Sequence, residues 1–394
     1  MRQGKPGDVE AGATGVSASA DIPEAAAIAI GDMLDSCARI QPGQEVLILN
    51  YTDGLRGGDN LVDQDAVDWI QQAVQMRGAN ASVLWTDEHP TVHAWRFPPM
   101  VKAAMAASDV MINNTLDLAF EELIEFKRFT WEEKKLHVRN FATTSSLLRT
   151  RWAQTPYELV SEIRLQAALL IQAGRSFRLT DPNGTDLRGE VLPAFHPDHP
   201  WFTTYAVRRE EVGYYRPWPE WVLPPIRLLG TSGKYVFDRM LGWWSRYLGI
   251  SPYFAEPIRL EIDNNRIIKI GGGEEAEALR RFLASLRDRV CEDVHNFDAL
   301  HFGVHPNASV DERECPHLLY RRLVEHSHTS NIHAHVGVPK PTKEYPYWAH
   351  ITGDIRAATF TVGDTVVHDR GRLTVLDHPA VAAVAAKYPG RPGL

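Results

Sequence analysis

The chain holds only three cysteines, Cys37, Cys291 and Cys315, in 394 residues. They are far apart and odd in number, which argues against a disulfide framework and against a thiolate zinc site. Long apolar runs are also lacking, since none approaches the roughly 20 residues that a membrane helix needs. Basic side chains are outnumbered, with 42 Lys and Arg against 50 Asp and Glu and a formal net charge of -8. Wide contact with nucleic acid needs a basic footprint and is not expected. No GxGxxG follows the first predicted strand; "DGLRGGD" (53–59) does not match, so a dinucleotide site is not supported. Residues 1–21 begin "MRQGKPGDVEAGATGVSASA", which is small and polar. Without the apolar core of a signal peptide, they read as a disordered leader on a cytoplasmic protein.

What is present falls into two halves. From about 22 to 184 helical and strand patterns alternate. "QEVLILN", "NASVLWTD" and "VMINNT" read as strands. "DAVDWIQQAVQMRGA", "PPMVKAAMAASD" and "YELVSEIRLQAALLIQAG" read as helices, the last with Gly174 as its C-terminal cap. Such alternation predicts an α/β domain with a mostly parallel sheet. From 185 to 394 strands dominate, with a hairpin expected across Asn264-Asn265. "EEAEALRRFLASLRDRV" has the spacing of a charged amphipathic helix. This half is expected to be an α+β domain whose antiparallel sheet carries the site. "IGGGEEAE" (270–277) opens that helix; its acids would repel phosphate, so it reads as a structural turn.

Histidine is unevenly placed: nine of sixteen fall between His295 and His350. Residues i and i+2 of a strand share a face. His333 and His335 therefore point the same way in "NIHAHVGV", and His350, Thr352 and Asp354 do so in "AHITGDI". His301 lies in "LHFGVHP", with His305 just beyond. Neighbouring strands can thus aim imidazoles and one carboxylate at a common point. That donor set suits a divalent transition metal: Mn, Zn, Fe or Co. A single histidine in a strand is ordinarily a satisfied core residue, and His295, His317, His326, His328, His368 and His378 are read that way. "WPEW" (218–221) sets an acid among apolar rings. Glu220 there is a candidate ligand or general acid/base, or else a solvated loop residue. Trp218 and Trp221 are candidates to wall a flat-substrate pocket or to fill core.

The segments "IRLEIDNNRIIKIGGGEEAEALRRFL", "HFGVHPNA", "NIHAHVG" and "HITGDIRAATFTVGDTVV" occur in an order that resembles the aminopeptidase T-type metallopeptidases. They are similar in the same way to 2,5-dihydroxypyridine 5,6-dioxygenase, and the resemblance extends to the superfamily that also holds 5-nitroanthranilate aminohydrolase. Glu220 and His333 match the peptidase acid and histidine, and His350 matches the histidine of a His-x-Asp pair. Thr352 stands where that pair's acid would be, with Asp354 two residues on. Ala299 stands at another ligand position, with His301 two residues on. Both ligands are displaced by one strand step.

The resemblance implies a metal held by His301, His333, His350 and Asp354. It implies Glu220 as proton shuttle, with Trp218, Trp221, His305 and His335 against a small aromatic substrate. The expected activity is a metal-dependent aminohydrolase that replaces a ring amine by hydroxyl through activated water. An Fe(II) ring-cleaving dioxygenase, an aminopeptidase and a scaffold without metal are the alternatives. The resemblance also implies a homo-oligomer of two or more chains.

Overall fold

A computed structural model describes residues 21–56, 61–87, 98–115, 128–172, 174–192, 215–219, 222, 225–287, 294–338 and 349–394. The expectations for residues 1–20, Cys291, Glu220 and Trp221 lie outside these residues.

Helix α1 (Glu24–Gly31) leads into β1 (Glu45–Tyr51), α2 (Gln64–Met76), β2 (Asn80–Thr86), α3 (Pro99–Ala107), β3 (Val110–Asn113) and β4 (Leu136–Asn140). All of β1 beyond its first residue is buried, as a central parallel strand covered on both faces requires. The Asp63 side chain caps α2 by accepting from Ala66 N at 2.8 Å. Helix α3 starts with Pro98 and Pro99 at its N-cap and first position, where a proline costs no hydrogen bond. With β7 (Tyr215–Trp218) at its far edge, the strand order is β2-β1-β3-β4-β7, with every pair parallel. Asn50, Asn114 and Asn140 line the C-terminal edge of this sheet and join side chain to side chain at 2.7 and 2.8 Å.

The chain then crosses between the two sheets more than once. After α4 (Tyr157–Ile171), β5 (Ser176–Thr180) and β6 (Asp186–Val191) already belong to the antiparallel sheet, whereas β7 (Tyr215–Trp218) returns to the parallel one. Helix α4 ends at Ile171, before Gly174. A Cβ on Gly174 would lie 2.8 Å from Gly363 N, so this glycine serves a close backbone approach instead of the expected cap.

Among the described residues the second sheet has eleven strands. Its long members are β8 (Ile226–Met240) and β9 (Tyr253–Asp263), with α5 (Gly242–Leu248) between them. β10 (Arg266–Gly271) pairs with β9 across Asn264-Asn265, whose φ values are 47° and 65°. This is the left-handed pair a tight hairpin needs. Then come α6 (Glu274–Arg287), β11 (Asn296–Phe302), α7 (Leu318–His326), β12 (Ile332–Val338) and β13 (Ala349–Ile355). β14 (Thr359–Val362), β15 (Thr365–Asp369), β16 (Arg372–Leu373) and α8 (Pro379–Ala385) complete the chain. β8 also pairs with β11 and β13, which curls this end of the sheet back on itself.

The two sheets share one continuous apolar core. Polar ties cross between them. Asp32 accepts from Tyr157 N at 2.8 Å and from Arg391 at 3.2 Å. Tyr320 of α7 donates to Phe141 O, just past β4. Among the described residues no helix is long and apolar enough to cross a membrane. Cys37 and Cys315 are buried.

Three imidazoles are sealed in this core away from the clustered ones. Burial pushes His137 and His305 down to about 3 and His368 down to about 4, from an ordinary 6.5. A depressed native pKa means the unfolded chain binds the proton more tightly. The stability these groups contribute is whole above pH 6.5 and is lost as pH falls through 4 toward 3. The melting temperature should therefore be flat from pH 7 to 8 and fall steeply from pH 6 to 4; a flat acid limb in a melting series would contradict this.

Candidate metal centre

The site is built by strand register. β11, β12 and β13 lie side by side and antiparallel, with His301 opposite His333 and His333 opposite Asp354. One rung along, Ala299, His335 and Thr352 face one another; a third rung pairs Gly337 with His350. Because side chains alternate faces, those of the first two rungs project from one side of the sheet. The predicted ligands are thus spread over three rungs.

The first two rungs bring three imidazoles into contact. The rings of His301 and His333 stack at 4.8 Å between centroids, and those of His301 and His335 at 4.2 Å. Donor atoms of His301, His333 and His335 all lie within 4.8 Å of one another. His301 and His335 keep 7% and 8% exposure, while His333 beneath them keeps 2%. Burial, then the neighbouring imidazoles His326, His301 and His335, hold His333 well below the ordinary histidine range. It is neutral and ready to ligate without losing a proton. Its Nδ1 is buried and has no hydrogen-bond partner among the described residues. A buried polar atom in that state is costly unless something satisfies it. An ion bound by the three imidazoles would do so, and the donor set suits zinc or a neighbouring first-row metal.

A second constellation lies below. Helix α7 carries Arg322 and His326 four residues apart, hence on one face, and both reach Asp354. Arg322 Nη2 donates to Asp354 Oδ2 with both side chains fully buried. His326 Nδ1 is 2.7 Å and Asn331 Nδ2 2.8 Å from the same oxygen. Burial alone would raise the Asp354 pKa, but Arg322 and His326 outweigh it and bring it to about 2. The His326 ring lies 4.0 Å from that of His333. Sequence reasoning set His326 aside as an ordinary core histidine and did not single out Arg322. The signal was the i, i+4 pair of polar side chains on the buried face of an amphipathic helix.

The other predicted residues fare differently. Thr352 Oγ1 accepts from Leu241 N at 3.2 Å, so it ties β13 to the start of α5. Trp218 was expected beside the substrate, but its indole is buried at the end of β7 and donates to Asp32. It fills core because β7 is an edge strand of the other sheet. His305, also expected beside the substrate, is sealed edge-on against Trp152, and its Nδ1 accepts from Asn307 N. His335, the third residue given a substrate role, joins the imidazole cluster. The His350 side chain lies outside the described residues.

The family profile of 2,5-dihydroxypyridine 5,6-dioxygenase (NicX) matches residues 31–318. The chain belongs to this family. Among solved structures it is similar to 2,5-dihydroxypyridine dioxygenase from Pseudomonas putida KT2440. That match has a TM-score of 0.60 at 18% identity, over 89% of this chain and 98% of the other. It is also similar to wild-type AmpT from Thermus thermophilus, with a TM-score of 0.53 at 13% identity, over 89% and 99%. No curated protein matches. At these identities the structures speak for the fold: a parallel five-stranded sheet with helices, joined to a large antiparallel sheet. The family match bears out the relationship to the dioxygenase expected from the sequence, and the two structures bear out the fold. The profile takes in His301 but ends at the start of α7, before Arg322, His326, His333, His335 and Asp354.

Gly303 seats α7 on this sheet. A Cβ there would lie 2.2 Å from His328 O and 2.3 Å from Ser327 O. Gly303→Ala must push the end of α7 off β11 and carry His326 with it. It should lower both the melting temperature and metal retention after dialysis; wild-type values for both would show that the contact does not position the site.

Proposed function

We propose that this chain is a metal-dependent enzyme acting on a small aromatic ring, with the metal held by His301, His333 and His335. The observation that carries this reading is the convergence of three buried imidazoles from two adjacent strands within 4.8 Å. The aromatic substrate class follows from membership in a family named for a dihydroxypyridine dioxygenase.

Held by three neutral imidazoles, a divalent ion keeps its full charge and supplies Lewis-acid activation of water near neutral pH. The chain's own part is to hold that set in place. β11 and β12 fix the three rings by register, and His326 packs under His333. Substrate and water would approach from the side of His301 and His335, which keep slightly more exposure than His333. The carboxylate of the rung, Asp354, is engaged by Arg322 and His326. This arrangement favours displacement of a ring substituent, in the first instance an amine, by water.

Two observations favour a second reading, ring opening with molecular oxygen. One is the family itself. The other is the composition of the lower group, His326, His333 and Asp354, since two imidazoles and a carboxylate are the donors of non-haem iron oxygenases. An assembly of two or more chains is part of the proposal through the resemblance alone.

The test is to strip the protein with chelator, add back Mn, Zn, Fe(II) or Co, and assay a panel of amino- and hydroxy-substituted rings. Ammonia release and oxygen uptake are followed together. Ammonia without oxygen uptake is the expected result. Oxygen uptake without ammonia would establish the second reading, and turnover that no metal restores would sink both. His333→Ala should abolish metal retention and activity while circular dichroism stays native; full activity in that variant would remove the centre from this position.

A further inference from the structure

His333 belongs to two donor groups at once. Above it are His301 and His335; below it are His326 and Asp354, and the donor atoms of His326, His333 and Asp354 also lie within 4.8 Å of one another. The lower group has the donors of a metal site. It also has a bare ligand atom. All three hydrogen-bonding partners of Asp354 converge on Oδ2, from Arg322, His326 and Asn331. Its Oδ1 is buried and has no hydrogen-bond partner among the described residues.

What the lower group has in place of an ion is a guanidinium. Arg322 has no solvent exposure. Its Nη2 meets Asp354, while its Nε and Nη1 have no hydrogen-bond partner among the described residues. The next anion, Glu325, is 4.0 Å from Nη1 and is shared with Arg356, which approaches it to 3.0 Å. Arg239, on the strand beside β13, is paired with its own neighbour Asp238. Arg322 is therefore balanced chiefly by Asp354. A guanidinium stays charged at every working pH, and in a dry interior its field is weakly screened.

We propose that Arg322 stands in for a second metal ion: its guanidinium neutralises Asp354, keeps the lower group free of metal, and confines a single ion to His301, His333 and His335. The single-ion part rests on the reading of the upper group given under Proposed function; the exclusion of metal from the lower group does not. Arg322 is thus a positioning residue that sets how many ions the site takes. Removing its charge takes away the nearest counter-charge of a buried carboxylate that sits beside two imidazoles, which favours a bound cation.

The test is metal stoichiometry of the full-length protein by equilibrium dialysis against Co(II), with bound metal counted by atomic emission and visible absorption. Wild type should bind one ion per chain, Arg322→Met two, with His333 bridging as an imidazolate after its remaining N–H proton passes to solvent, and Arg322→Lys, which keeps the charge, one. Arg322→Gln is the second neutral variant should Arg322→Met not fold. The metal-free neutral variant should also melt below wild type and recover on adding Co(II), which a merely structural arginine would not produce. Two ions in wild type, or a folded neutral variant that binds no more than wild type, would overturn the proposal. Zero ions in wild type with one in the neutral variant would remove the upper site and leave the role of Arg322 standing.

Discussion

The buried meeting of Arg322, His326 and Asn331 at one oxygen of Asp354 holds the centre of this protein together. It joins α7, the segment after it and β13 at a point with no solvent. Charges are costly to bury, and a pair breaks even only when its hydrogen bonds are good. Removing one partner from such a pair typically costs about 3–5 kcal/mol, because the other charge is left alone. Evolution has easier ways to fill a core with apolar side chains. An ion pair retained beneath a layer of imidazoles is therefore better understood as specifying charge and geometry than as adding stability.

The two sheets contribute unequally. Every clustered imidazole comes from the antiparallel sheet or from α7, which packs on it. The parallel sheet acts as a support. It binds α7 through Tyr320, which bonds to Phe141 O and contacts Thr143 Oγ1 at 3.1 Å. It receives the C-terminal segment through Lys387 and Tyr388 on Glu158 and Arg391 on Asp32. Trp218 belongs to this support; its indole helps to seat Asp32, around which three separate segments meet.

Family membership and donor set pull in different directions. The matched region covers the fold as far as the start of α7, and of the clustered side chains it takes in His301 alone. A strand step moves a side chain by two residues on the same face, so Asp354 and His301 occupy neighbouring rungs to Thr352 and Ala299 without a change of fold. The site can thus be rearranged while the scaffold stays that of its relatives. Fold and family set what chemistry is accessible; the identity of the donors decides which is performed.

Much of this was readable from local pattern. A two-residue period is a property of the chain itself, so the common face of His333 and His335 needed no tertiary knowledge. The same holds for the Asn264-Asn265 hairpin, the buried β1 and the helix starting at Glu274, each dictated by residues within a few positions. Pairing partners were not readable in this way. Whether His333 faces Asp354 or His350 depends on the register between β12 and β13, which the curl of β8 onto β13 and the packing of α7 enforce. The resemblance places Trp218 and His305 beside the substrate, yet strand order carries one to the far sheet and burial seals the other. Arg322 shows the limit most clearly. From the sequence it is one of 42 basic residues; only the folded chain, by excluding water around it, makes its charge decide what the neighbouring site can hold.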